Sequence, residues 1–119
     1  MLINHLDLQV HDVQASARFF ERNFGFALQT SRTSPALAVL GGDGGFVLVL
    51  QRRRDEAPYP DGFHLGFLVD EVARVHELHA RLTADDGCTV SPVERNARGT
   101  MIYCRHDGVV IEVSCRGRG

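Results

Sequence analysis

Residues 4–10 read Asn-His-Leu-Asp-Leu-Gln-Val, and residues 63–69 read Phe-His-Leu-Gly-Phe-Leu-Val. Both stretches put a histidine in second place and then apolar residues at the spacing of a strand with one buried face. Each stretch is soon followed by an aspartate, an amphipathic helical pattern, a glycine and further strand-like runs. The sequence therefore predicts a tandem repeat of one structural unit.

Each copy predicts the element order βαβββ. For the first copy, the pattern places a strand, a helix capped by Asp12 and ended by Gly25, and three more strands: Leu2–Val10, then Leu28–Arg32, Ala36–Leu40 and Phe46–Gln51. For the second, it places the corresponding parts, with Asp70 as the cap and Gly87 closing the helix: Phe63–Val69, then Thr89–Glu94, Thr100–Arg105 and Val109–Cys115. A four-stranded sheet cannot cover both of its faces alone, which favours pairing the two copies.

The predicted fold class is therefore α+β. We expect two βαβββ modules in tandem, about residues 1–54 and 60–116, within a single domain over residues 1–119. The modules are expected to form a curled mixed sheet around a cavity, with the helices on the outer face. Residues 52–62, which contain three arginines and two prolines, are the expected connector.

Composition excludes several classes of function. The chain is 44% hydrophobic and 24% charged, with a net charge of −2, so neither nucleic acid nor an acidic membrane is an expected partner. No signal peptide pattern is present, and no apolar run approaches the ~20 residues of a membrane-spanning helix. We therefore expect a cytoplasmic protein. Three cysteines without metal-type spacing predict reduced, packed thiols.

Strand alternation sorts the polar residues by face. His5, His64 and Glu112 each fall on the side of their strand opposite the apolar set, the side that the helices are not expected to cover. Near its end each copy has the same turn, Asp43-Gly44 and Asp107-Gly108, from whose glycines Leu48 and Glu112 are equally far. The fourth-strand positions that match Val110, Glu112 and Ser114, which share the face of Glu112, are therefore Phe46, Leu48 and Leu50. If this face encloses a cavity, the two imidazoles and the carboxylate converge there, with Leu48 at a fourth corner.

Two neutral imidazoles and a carboxylate suit a divalent metal such as Fe, Mn, Zn, Ni or Co. Three protein ligands leave coordination positions open, as a catalytic metal requires. Asp7 lies two residues from His5 on the same face, and three roles remain open for it. It either supports the metal site or accepts a proton as a general base, or it is simply hydrated at the cavity mouth.

The chain also resembles the vicinal oxygen chelate superfamily, which includes glyoxalase I, extradiol dioxygenases, fosfomycin-resistance transferases and bleomycin-binding proteins. The resemblance covers residues 2–115 and rests on four stretches: residues 5–12, residues 16–26, residues 64–69, and Asp107-Gly108 with Ile111-Glu112-Val113. It implies ligands at four equivalent strand positions, occupied here by His5, Leu48, His64 and Glu112. It further implies a homodimer, in which each cavity is commonly built from the first half of one chain and the second half of its partner, so that His5 of one chain would share a metal with His64 and Glu112 of the other.

Two positions of this chain depart from the family pattern, and both affect which reaction the resemblance implies. Leu48 stands where glyoxalase I typically has a carboxylate. Ile102 stands ten residues before Glu112, where fosfomycin transferases usually have a tyrosine, and strand parity is expected to turn the neighbouring Tyr103 away. The resemblance thus implies a metal-dependent lyase, transferase, isomerase or dioxygenase without selecting one.

Two functions follow as hypotheses. The first is an enzyme in which a metal at His5, His64 and Glu112 acts on a small molecule, with Asp7 as the candidate catalytic base. The second is a metal-free protein that sequesters a small molecule of the antibiotic type, as bleomycin resistance proteins do. In both, the expected substrate-pocket residues are Phe46, Leu48, Leu50 and Ile102.

Overall fold

The computed structural model describes residues 1–117, which form nine strands and two α-helices. The elements of the first unit are β1 His5–Val10, α1 Val13–Phe24, β2 Ala27–Leu28, β3 Leu37–Gly41 and β4 Val47–Arg52. Those of the second are β5 Leu65–Leu68, α2 Val72–Thr83, β6 Thr89–Val90, β7 Glu94–Asn96, β8 Gly99–His106 and β9 Val109–Cys115. The predicted α+β class is confirmed.

The chain divides into two compact units, Met1–Ala57 and a second that begins at Pro58. The sheet of the first unit has the strand order β1-β4-β3-β2, and that of the second has the order β5-β9-β8-β6, with β7 paired to β8. In each unit the first strand runs parallel to the last, and the remaining pairs are antiparallel. The sequence repeat is therefore also a repeat of topology.

The predicted alternation in β1 is confirmed. Leu8 and Val10 are fully buried beneath α1, whereas His5 and Asp7 are exposed. The other buried apolar side chains of this unit come from one stripe of α1 and one face of β3 and β4: Val13, Ala17, Phe19, Phe20, Ala38, Leu40, Leu48 and Leu50. Burial of this stripe is the main source of stability for a sheet covered on one side by one helix.

The predicted facing of β4 is wrong. The parallel register pairs Leu6 with Leu48 and Leu8 with Leu50. Paired residues of neighbouring strands share a face, so Leu48 and Leu50 point into the core beside α1. Their exposed fractions are 1% and 0%. Neither side chain therefore lies on the open face, where it was expected to line a substrate pocket.

The true counterpart of Glu112 in the first unit is Val49. Val49 pairs with Asp7, the residue two places after the first repeat histidine, and Glu112 pairs with Gly66, two places after the second. The prediction counted equal steps from the glycine of each turn. The turns differ in length, however, because five residues containing a 3-10 turn at Asp43–Gly45 join β3 to β4, whereas two residues join β8 to β9. One extra step reverses every side chain of a strand.

The caps of α1 are confirmed and those of α2 are wrong. Asp12 accepts a hydrogen bond from the Ala15 amide at 3.0 Å, and Gly25 ends the helix at φ 70°. Helix α2 instead begins after Glu71, whose side chain makes no capping bond, and ends at Ala84. It stops before Gly87 because the Asp85 carboxylate accepts from the Gly87 amide and closes a separate turn.

Strand boundaries also differ from those expected. The strand predicted over residues 63–69 begins only at Leu65, so His64 lies in the loop before it. The strand predicted over residues 89–94 is interrupted, because Pro92 cannot donate to a ladder and Ser91 instead binds the β8 backbone. The first unit's second strand is limited to Ala27–Leu28, whereas β9 has the predicted bounds.

Replacement of the Asp12 cap tests the local stability of α1. Asp12→Ala is expected to lower the free energy of unfolding by about 1 kcal/mol, because the Ala15 amide loses its acceptor. Asp70→Ala is the matched control, since Asp70 precedes a helix whose cap position is Glu71. It should change the same quantity by less than about 0.5 kcal/mol. Urea unfolding followed by circular dichroism measures both; equal losses would contradict the assignment.

The cysteines are free thiols, as expected. Cys104 and Cys115 are buried, and Cys88 is partly buried. Burial raises the pKa of the Cys104 thiol to about 12, so it stays neutral and unreactive at physiological pH. Neither helix within residues 1–117 is both long and apolar enough to cross a bilayer.

Candidate functional site

The second unit brings together two of the three predicted metal ligands. His64 Nε2 lies 4.0 Å from Glu112 Oε1. The pair sits on the open face of the second sheet, where 44% of the His64 side chain and 19% of the Glu112 side chain are exposed. Because the imidazole is half-exposed and the carboxylate is not fully enclosed, an ion or small ligand can approach both groups from solvent.

The register of two parallel strands explains this proximity. Gly66 of β5 pairs with Glu112 of β9, and His64 lies two residues before Gly66, so it emerges on the same face. Gly66 carries no side chain over the carboxylate. A Cβ there would lie 3.7 Å from Glu112 Oε2, an ordinary contact, but any longer side chain would begin to cover the acid.

The imidazole of His64 is held in the tautomer that suits a ligand. His64 Nδ1 lies 2.9 Å from the Gly62 carbonyl oxygen, which can only accept a hydrogen bond. In the neutral form of the ring, this acceptor places the proton on Nδ1 and leaves the lone pair of Nε2 toward Glu112. A histidine that ligates a metal usually has its second nitrogen bound in this way. An imidazole nitrogen and a carboxylate oxygen that face each other are placed to bind a divalent cation between them.

A tyrosine completes the cluster. The Tyr103 hydroxyl donates to Glu112 Oε1 at 2.7 Å, and its ring meets that of His64 edge to face, with 6.2 Å between the centroids. The hydrogen bond to Glu112, together with desolvation and the negative charge, raises the pKa of Tyr103, although Arg98 opposes the shift. The phenol therefore remains a donor at neutral pH and orients the carboxylate.

The expectation that Tyr103 faces away from Glu112 is wrong. The hairpin register pairs Tyr103 directly with Glu112, whereas Ile102 pairs with Val113 on the helix side. Ile102 is fully buried in the core and does not line the open face, so its predicted place in a substrate pocket is also wrong. The signal was present in the sequence, because a two-residue Asp107-Gly108 turn fixes which residues lie opposite each other.

A cleft of about 360 Å³ opens beside the carboxylate. Its walls are Arg98, Met101, Glu112, Ser114 and Arg116, all from the second unit. Volumes of this order are typical of small-molecule sites. Apart from Glu112 and Ser114, whose face was predicted, none of these residues was singled out from the sequence. The cleft combines an acid with two guanidinium groups.

The remaining predicted residues lie in the first unit. His5 Nδ1 lies 2.9 Å from the Asn4 side-chain oxygen, an acceptor, which again leaves Nε2 with a free lone pair. Asp7 accepts a hydrogen bond from the Gln51 side-chain amide at 2.6 Å. Phe46 is half-buried and lies directly before β4. Among residues 1–117, no group of three or more His, Cys, Asp or Glu side chains is gathered in the arrangement of a metal site.

The geometry of His64 and Glu112 fits one side of a metal coordination sphere. Ligands about 2.1 Å from a metal, at angles between square and tetrahedral, are roughly 3.0–3.4 Å apart. The observed 4.0 Å is within reach of that range through a small side-chain rotation. The chemistry also fits: a neutral imidazole nitrogen and an ionised, oriented carboxylate are ligands for Zn, Fe, Mn, Co or Ni.

Comparison with known proteins places this geometry in context. Residues 2–113 match the model of the Glyoxalase/Bleomycin resistance protein/Dioxygenase superfamily. A possible glyoxalase from Bacillus cereus is similar at 36% identity and a TM-score of 0.84, covering 97% of this chain and 99% of that one. No curated protein matches the chain.

Two more distant solved structures share the fold. Lactoylglutathione lyase from Agrobacterium tumefaciens has 23% identity and a TM-score of 0.74, with 96% of this chain and 92% of that chain covered. A FosX fosfomycin resistance protein variant from Listeria monocytogenes has 18% identity and a TM-score of 0.78, covering 98% and 92%. That protein was solved in complex with Mn(II) and 1S,2S-dihydroxypropylphosphonic acid.

Proposed function

Because the chain belongs to the Glyoxalase/Bleomycin resistance protein/Dioxygenase superfamily, we propose that it is a divalent-metal-dependent enzyme acting on a small molecule. The ligands we assign are His5, His64 and Glu112. One observation carries the proposal: His64 Nε2 faces the Glu112 carboxylate across 4.0 Å on an open sheet face. In a member of this superfamily, a divalent cation bound between these two groups would have an imidazole nitrogen and a carboxylate oxygen as ligands.

Each residue of the proposed site has a distinct role. Tyr103 orients Glu112, and the Gly62 carbonyl fixes the ring of His64. His5, whose Nδ1 is likewise occupied, is the third ligand, provided by the first unit of the same chain or of a partner in a homodimer. The bound metal would act as a Lewis acid on a substrate oxygen. Asp7 remains the candidate proton acceptor, and Phe46 the candidate apolar wall.

Val49 at the position equivalent to Glu112 limits the reaction. An aliphatic side chain neither coordinates a metal nor accepts a proton, so the site has only one carboxylate among its four repeat positions. Reactions that rely on two metal-bound carboxylates to shuttle a proton are therefore disfavoured. We propose chemistry in which one ligand carboxylate suffices, such as activation of a leaving oxygen or stabilisation of an enolate.

Metal binding is the decisive test of this function. Protein purified without a nickel column and dialysed against Mn(II), Zn(II), Co(II), Ni(II) or Fe(II) is expected to retain about one equivalent per chain. His5→Gln and His64→Gln should each lose most of it, since the remaining two ligands bind divalent metals weakly. Elemental analysis of the dialysed protein measures the content, and a metal-dependent rise in melting temperature supports it.

His76→Gln is the matched control. His76 lies exposed on α2, away from the proposed ligands, so its loss should leave the metal content unchanged. Wild-type protein that retains no metal under any of these conditions would contradict the proposal. Saturable binding of a small aromatic molecule by such metal-free protein would instead support the sequestration hypothesis.

A further inference from the structure

The cleft beside Glu112 carries two arginines that have no acidic partner among residues 1–117. Arg98 and Arg116 both line it, and within residues 1–117 neither forms an ion pair with a carboxylate. Arg98 is engaged instead by neutral groups: its guanidinium contacts Met101 Sδ at 3.9 Å and influences the Tyr103 hydroxyl. Glu112 contributes the one negative charge of the walls, and Tyr103 already donates to it.

We propose that this cleft binds an oxyanion of the substrate, a carboxylate or a phosphoryl-type group, between Arg98 and Arg116. The assignment of that anion to a substrate rests on the proposed function. Two guanidinium groups against one carboxylate leave the walls with a net positive charge, which an anionic ligand would neutralise. Guanidinium forks match the paired oxygens of carboxylates and phosphates, and the Ser114 hydroxyl is a further donor in the same walls.

The backbone holds the two arginines close to each other before any ligand arrives. Gly99, directly after Arg98, has φ 132°, and a Cβ added there would lie 2.9 Å from the Arg116 Cα and collide with the Cys115 carbonyl oxygen. Such close approach of the two chain segments is possible only at a glycine. The Arg98 amide also donates to the Asn96 side chain at 2.8 Å, which fixes the turn that presents Arg98.

The size of the cleft limits the ligand. A cleft of about 360 Å³ is of the size of a small-molecule site and admits an anionic head with a few further atoms. The anion would bind beside Glu112, so the rest of a compact substrate would extend toward His64 and the proposed metal. The inferred substrate class is therefore a small molecule with an acidic group a few bonds from the oxygen that reacts.

Anion binding by metal-free protein tests the proposal independently of activity. Full-length protein stripped with EDTA and then freed of the chelator is titrated with acetate and, separately, inorganic phosphate, followed by NMR shifts of backbone amides in β8 and β9. We expect saturable binding of at least one of them, and the preferred probe identifies the class of acidic group. Arg98→Gln and Arg116→Gln should each weaken it about tenfold or more.

Two further variants make the result decisive. Arg105→Gln removes the same charge from β8 but lies outside the cleft, so it should change affinity by less than about twofold. Arg98→Lys keeps the charge but loses the fork, and should give an intermediate loss. Absence of saturable binding by wild-type protein, or equal losses in Arg98→Gln and Arg105→Gln, would overturn the proposal.

A Glu112→Gln variant separates this inference from the proposed function. Loss of the carboxylate should abolish metal retention while anion binding is kept or tightened, because a like charge beside the ligand has been removed. If wild-type protein binds the anion but never a metal, the proposed function fails and the anion site stands. If wild-type protein binds metal but no anion, the anion site is refuted and the proposed function stands.

Discussion

Replacing Glu112 by Gln is expected to lower the affinity for divalent metal by at least about 100-fold. Residues that merely orient a ligand typically contribute 10- to 100-fold, and Glu112 is assigned as a ligand itself. The amide loses the negative charge that a cation requires, yet its oxygen can still accept the hydrogen bond from Tyr103. The fold should therefore survive, with the melting temperature of the metal-free protein little changed. Competition against a chromophoric chelator measures the affinity.

A second glutamate of the same sheet gives the control. Glu94 lies exposed on β7, and Glu94→Gln removes one unit of charge at a place outside the site. We expect its metal affinity to stay within about twofold of the wild-type value, because exposed charges are screened over a distance of about 10 Å. Metal binding by the Glu112→Gln protein within threefold of wild type would show that Glu112 is not a ligand.

Tyr103→Phe is expected to weaken metal binding by about 10- to 100-fold while leaving every ligand in place. The phenylalanine keeps the ring beside His64 but removes the donor that orients Glu112 Oε1. The free energy of unfolding should fall by only about 1 kcal/mol, because water can reach the partly exposed carboxylate and replace the lost hydrogen bond. The same chelator competition, with urea unfolding in parallel, measures both quantities.

The other tyrosine of the chain provides the comparison for this variant. Tyr59 stacks face to face on Phe63, with 4.8 Å between the ring centroids. Tyr59→Phe also deletes a phenol hydroxyl from the second unit, but not the one that binds Glu112, so metal affinity should remain close to wild type. Equal losses in the two variants would show that the Tyr103 hydroxyl has no specific role in orienting the carboxylate.

Much of the fold follows from local patterns in the sequence. The alternation of residues 5–10 fixes which side of β1 is buried, because the apolar set needs the cover that α1 provides. Helix α1 has both of its predicted caps, since Asp12 and Gly25 have side-chain and backbone properties that few other residues share. Strand β9 has the predicted bounds, because a tight turn precedes it and alternation continues throughout.

The errors arose where register depended on turn length. The turn before β4 contains a 3-10 segment and is longer than the turn before β9. Equal steps from the two turn glycines therefore give the wrong facing for Leu48, the predicted fourth corner of the site. At the second hairpin, parity was counted along the chain from Glu112 instead of across the turn, which turned Tyr103 the wrong way. The side of the sheet on which a side chain lies can therefore be inferred from sequence only when the length of the preceding turn is known.

The two arginines of the cleft could not be predicted from spacing. Arg98 lies before β8 and Arg116 after β9, outside the stretches where alternation assigns a face. They share a cleft because the antiparallel pairing aligns the start of one strand with the end of the other, with Gly99 at the point of close approach. Only the three-dimensional pairing brings them beside Glu112.

A crystal structure of the Mn(II)-loaded protein, with anomalous difference maps recorded near the manganese edge, most directly tests whether His64 and Glu112 form one side of a metal site. The account predicts a single anomalous peak per chain about 2.1–2.3 Å from both His64 Nε2 and a Glu112 carboxylate oxygen. An imidazole from His5 of the same or a neighbouring chain should complete the set. A peak bound elsewhere, or fully loaded protein with His64 and Glu112 still 4.0 Å apart and no metal between them, would contradict it.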